Sequence, residues 1–181
     1  MNNKILIEAK EDIPLFFNDF KTFWDESLKN ITDEHITEVY KGTLIFKNWK
    51  NSLHSIEIKN LDTLINELFE DINSSLYLAF LGQYRTSYMH MRSSIELAFQ
   101  LLYFIHHPIE YSQWKNGAFI IKFIKLTEYL EKHPLLSQNN ILTTLLAQIS
   151  RKWTHCSKHI HGESPIFFQC IKDTRKPTHT L

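Results

Sequence analysis

The sequence is poor in the residues that tight turns require, with 4 glycines and 5 prolines in 181 positions. That scarcity excludes a many-stranded sandwich or barrel, whose hairpins need such residues at short intervals, and leaves no GxGxxG or Walker loop to cradle phosphate. Cysteine is equally scarce: Cys156 and Cys170 are the two, and they make neither a CxxC pair nor a disulfide framework. Net charge is absent, because 20 Lys and Arg offset 20 Asp and Glu. No global field draws the chain to nucleic acid or anionic lipid, so any polyanion must meet a local patch. Long apolar runs are missing too. The longest, residues 97–105, is interrupted by Gln100 and followed by His106, His107 and Pro108, far short of the roughly 20 residues a membrane span needs. With thiols this few and no basic, apolar leader, the expectation is a cytoplasmic protein without membrane contact.

What remains is ample core material. Hydrophobic residues make up 43% of the chain, and 13 Phe, 7 Tyr and 4 Trp are among them, enough for one domain with an appendage. Apolar periodicity of three and four predicts a first helix over residues 13–31 (Leu15, Phe16, Phe20, Phe23, Trp24, Leu28), with Asp12, Ile13 and Pro14 as its start signal. A second helix is expected over about 32–55. A third, from Leu61, breaks at Gly82; a fourth follows at once, through Tyr84, Tyr88, Met91, Ile95, Ala98 and Leu102, and stops at His107 and Pro108. These two should pack as an antiparallel hairpin. After a short element, residues 119–131 read as another long helix, and a last one runs from Asn140 to a stop at Gly162. The expected fold class is all-α: an N-terminal helical extension over 1–56, an antiparallel bundle over 57–162 and a short tail over 163–181, with Ile166, Phe167 and Phe168 as a strand or packed arm and 172–181 frayed.

The densest titratable cluster is Arg151, Lys152, His155, Lys158, His159 and His161, at the C-terminal end of the last helix. Cations there favour the helix dipole by a few tenths to about 1 kcal/mol, so a solvated face is the plain alternative. Angular placement separates the histidines. Relative to the apolar line through Leu142, Leu146, Ile149, Trp153, Cys156 and Ile160, His161 lies about 100° to one side and His159 about as far to the other, while His155 points outward. His161 is the first catalytic candidate, because histidine is the side chain best suited to exchange a proton at neutral pH. His155 and His159, four apart, have chelate spacing but no HExxH glutamate or CxxC partner, and no metal is assigned. Cys156 lies in the apolar stripe and reads as a small hydrophobe rather than a nucleophile. On the fourth helix Arg92 and Glu96 are spaced for a local ion pair; alternatively Arg92, oriented by Glu96, faces His161 and holds a phosphate.

The run GQYRTSYMHMRSSIELAFQLLYFIHHPIEY, with SKHIHG at residues 157–162, resembles the HEPN superfamily of all-helical domains, especially its bacterial branches. They share a pattern of Gly, small or aromatic residues, Arg, Ser, two residues and Glu before a leucine-rich helix, then a His-Gly helix end. The likeness covers residues 61–162. Many members are metal-independent ribonucleases of toxin–antitoxin, abortive-infection and other phage-defence systems, working as dimers that juxtapose two Arg-to-His motifs; others are inactive. The resemblance implies His161 as the motif histidine, while the expected arginine positions hold His155, Cys156 and Ser157. Arg92 or Lys158 would then supply the cation, Glu96 would orient Arg92, and Arg85, Arg151, His155 and His159 would contact RNA. It further implies a homodimer, an antitoxin or defence-system partner protein, and no cofactor. The alternative is a catalytically inactive helical module that dimerises and regulates a partner effector.

Overall fold

The computed structural model describes residues 2–55 and 61–167. Cys170 and the remainder of the tail from 168 onward lie outside the described residues, as does the 56–60 junction between the expected extension and bundle. Among the described residues the regular elements are all helical, and no helix is long and apolar enough to cross a membrane.

Helix α1 spans Asn2–Lys29 and carries Pro14 inside it, so it starts well before the expected signal at Asp12. Proline in a helix interior forfeits one backbone bond at a cost of about 3 kcal/mol. Here Lys10, whose carbonyl loses that bond, is exposed along with Pro14, and water can satisfy the freed oxygen. Helix α2, Asp33–Ser55, starts at a reciprocal cap. The Thr32 hydroxyl accepts from His35 N (3.2 Å), and Thr32 N donates back to His35 Nδ1 (3.4 Å), with His35 in the place a capping box usually gives to Glu or Gln.

Helices α3 (Asp62–Phe80) and α4 (Tyr84–Phe104) form the centre. The turn between them depends on Gly82, which adopts φ 70°, a left-handed conformation that L side chains resist. The Ser87 hydroxyl donates to the Ser75 carbonyl (2.6 Å), and His90 Nδ1 meets Asp71 Oδ1 at 2.7 Å. As one residue number rises the other falls, so the pair is antiparallel. Their inner faces bury Leu64, Ile65, Leu68, Leu97, Leu101 and Phe104, closed off by Tyr111 of the short α5 (Pro108–Lys115).

A second core lies on the other side of α4, where Phe99 packs with Leu126 and Leu130 of α6 (Phe123–Lys132) and Leu146 of α8 (Asn140–His161). The expected long helix over 119–131 is therefore shorter than its periodicity. Gly117 turns the chain at φ 71°, Ile120 is exposed, and Lys122 is extended, so the helix begins at Phe123. A one-turn α7 (Pro134–Ser137) leads into α8. Asn139 Oδ1 caps α8 by accepting from Ile141 N and Leu142 N, and Gly162 ends it in the left-handed region, the two punctuation marks the sequence displays.

A candidate anion site between α4 and α8

The seam between α4 and α8 brings distant sequence together. Contacts between residue 85 and 160, 88 and 159, and 96 and 153 show that α8 runs antiparallel to α4. The apolar stripe of α8 faces inward and its two flanks carry different chemistry.

On one flank, Glu96 Oε1 accepts from Arg92 Nε (3.0 Å) and from Trp153 Nε1 (2.7 Å). The Arg92 guanidinium lies 4.7 Å above the Trp153 ring, which stacks in turn on Phe123. A guanidinium fixed through Nε and held over an aromatic face keeps its Nη edge for a planar anion. At that edge stands the exposed ring of His161, with Nε2 at 3.5 Å from Arg92 Nη1, the outer limit of hydrogen bonding. Beside them is an open depression of about 180 Å³ lined by Met89, Arg92, Ser93, Glu96 and Ile160, smaller than the usual small-molecule cavity and of a size for one charged group. A larger depression, about 380 Å³, lies at the end of α3 among Leu28, Ile31, Ile36, Tyr77, Phe80 and Leu81; its lining offers no ionisable group except the Tyr77 phenol.

The other flank is aromatic. Tyr88 stacks on His159 (4.2 Å between centroids, 15° between planes) and meets His155 edge-on at 5.8 Å. His155 and His159 touch through their Nε2 atoms at 3.1 Å, and Phe167 closes over both rings. Burial and the neighbouring His155 push the His159 pKa below the usual histidine value, against a hydrogen bond to the Phe167 backbone. Burial likewise raises the Tyr88 phenol, aided by Cys156, and raises the buried Cys156 thiol, which leaves that sulfur protonated and inert at neutral pH.

The residues expected to act together are thus divided. Arg92, Glu96 and His161 share one flank. His155 and His159 share the other. Arg85 donates to the Ile160 carbonyl (Nε at 3.0 Å) and so ties the start of α4 to the last turn of α8, where its charge also complements the C-terminal end of the α8 dipole. Lys158 lends its carbonyl to Gly162 and Glu163 and is half-buried, whereas Arg151 is exposed.

Two features escaped the sequence reading. Trp153 reads as core, yet its indole N–H braces Glu96; the available signal was that a buried Trp needs an acceptor, and Glu96 is the acidic residue nearest the stripe of α4. Asp71 and His90 form a second pair, with Asp71 nearly buried, and no local spacing connects residues on separate helices. Among the described residues no group of three or more His, Cys, Asp or Glu converges as a metal site. Comparison with protein-family models, with curated proteins and with solved structures returned no match to this chain.

Proposed function

We propose that this chain is a HEPN-like helical protein of bacterial phage defence or toxin–antitoxin type, acting in the cytoplasm as a homodimer, that binds RNA and cleaves it without a metal. The observation that supports this reading is the Arg92 guanidinium, braced by Glu96 and Trp153, with exposed His161 at its free edge beside an open depression. A neutral His161 imidazole would take the ribose 2′-OH proton as O2′ attacks the adjacent phosphorus. Arg92 would hold the charge that develops on the phosphorane oxygens, Lys158 being the alternative cation, and the 5′-oxygen would leave with a proton from water or the returned imidazolium. The products are a 2′,3′-cyclic phosphate and a 5′-hydroxyl.

Purified protein incubated with total cellular RNA in EDTA tests this. Cleavage with cyclic phosphate ends is expected, falling at least about 100-fold in His161→Ala, within the range a positioned acid–base group contributes, and comparably in Arg92→Ala. One observation favours the rival reading of an inactive interaction module that regulates a partner effector: the Arg92 charge is already paired with Glu96. Absence of cleavage from folded protein, with a tight partner recovered from cells, would select that reading.

A further inference from the structure

His155 and His159 lie one turn apart on α8, on the flank away from Arg92, and their Nε2 atoms approach to 3.1 Å. Two imidazole nitrogens this close cannot both carry a proton, so the pair must share one or share a cation. Metal–imidazole bonds are about 2.0–2.1 Å long, and with them a 3.1 Å separation subtends about 95–100° at the ion, an angle compatible with adjacent ligands of a six-coordinate or distorted four-coordinate centre.

The surroundings suit ligation. His159 is held by the stacked Tyr88 ring and by the edge of Phe167 at 5.0 Å. His155 is exposed, which gives an ion access and leaves room for water. We propose that His155 and His159 form a two-imidazole chelate for a divalent transition ion of the Zn²⁺ or Cu²⁺ class, with water at the remaining positions. Two protein ligands make a site of modest affinity, and among the described residues no third His, Cys, Asp or Glu joins them. The bound ion would clamp the last turns of α8 against Tyr88. This inference is independent of the RNA reading, which requires no metal.

The test is a Zn²⁺ titration of the metal-free full chain against a chromophoric zinc indicator, with melting temperature and imidazole NMR followed in parallel. One equivalent at micromolar affinity is expected, with a higher melting temperature and shifts confined to the His155 and His159 rings. His155→Ala and His159→Ala should each weaken binding at least tenfold with helicity unchanged, while Cys170→Ser and His161→Ala should bind as wild type does. Wild-type binding no tighter than that of the two alanine variants, or imidazole signals that answer only to pH, would establish a shared proton instead and overturn the site.

Discussion

The α3–α4 pair and the α1–α2 pair are both built of long helices and have opposite fates. In the former, Leu64 is 0% and Phe99 2% exposed; in the latter, the stripe positions Leu15, Leu28 and Tyr40 are 63%, 50% and 62% exposed. Periodicity therefore tells the chain to form a helix, and the presence of a partner face decides whether the stripe is buried. The central pair has partners on two sides, α5 with the end of α2 on one and α6 with α8 on the other. Among the contacts of the first two helices with the bundle are Leu53 and Lys50 of α2, on α3, and Phe23 and Ser27 of α1, at the Gly82 turn.

The largest expected effect contrasts one residue type in the two regions. Phe99→Ala should cost about 3–5 kcal/mol of unfolding free energy, whereas Phe17→Ala should stay within about 0.5 kcal/mol, both by urea denaturation. A Phe17→Ala loss as large as that of Phe99→Ala would mean that the α1 face is covered in solution and would break the comparison.

Next is the point where the regions meet. A Cβ at Gly82 would stand 2.5 Å from Ser27 Oγ and 3.0 Å from the Phe23 ring, at a backbone φ of +70°. Ser27 is itself buried, its hydroxyl bonded to the Phe23 carbonyl. Gly82→Ala should cost about 2 kcal/mol from backbone strain and crowding together. Adding Ser27→Gly should return only the crowding part relative to the Ser27→Gly single variant; full recovery in that cycle would show that the left-handed backbone carries no cost.

Ion pairs sharpen the contrast at a smaller scale. Asp71 in the bundle is nearly buried and accepts from or ion-pairs with His90 at 2.7 Å, so Asp71→Ala should cost about 1–2 kcal/mol. Glu38 and Lys41 on α2 approach equally closely but are 66% and 62% exposed, and Glu38→Ala should change stability by less than about 0.5 kcal/mol. Equal losses from the two substitutions would put α2 in a drier setting than its exposure indicates.

The same distinction explains what was legible in the sequence. Local chemistry was readable: Asn139 and Gly162 bracket α8, Gly82 breaks α3 from α4, and the all-helical class follows from scarce turn residues and periodic stripes. The nearness of Arg92 to His161 was accessible as an expectation, because each residue flanks an apolar stripe and stripes must face one another. Pro14 misled, since a start signal and a tolerated interior proline on an exposed face look alike in sequence. Phe119, Ile120 and Ile121 misled in the other direction: an apolar run fixes neither helix nor strand until Gly117 has turned the chain. The links Trp153–Glu96 and Asp71–His90 join side chains far apart in sequence, and their pairing is set by the relative rotation of helices that no spacing encodes.

The smallest effect is electrostatic and belongs to the bundle alone. His159 has its pKa held below the ordinary histidine value of about 6.5, chiefly by burial and then by His155. Between that depressed value and the unfolded value the unfolded chain binds more protons, so unfolding free energy rises with pH across this window. Acidification from pH 7 should therefore begin to destabilise the fold as pH drops below about 6.5, and the loss should level off once the folded pKa is passed. His159→Gln should flatten this part of the stability profile measured in metal-free buffer, while Phe17→Ala, on the exposed face of α1, should leave its slope intact. A profile with the opposite slope in wild type would mean that the Phe167 hydrogen bond, which favours the protonated ring, outweighs burial, and that the α8 terminus is held by a charged rather than a neutral imidazole.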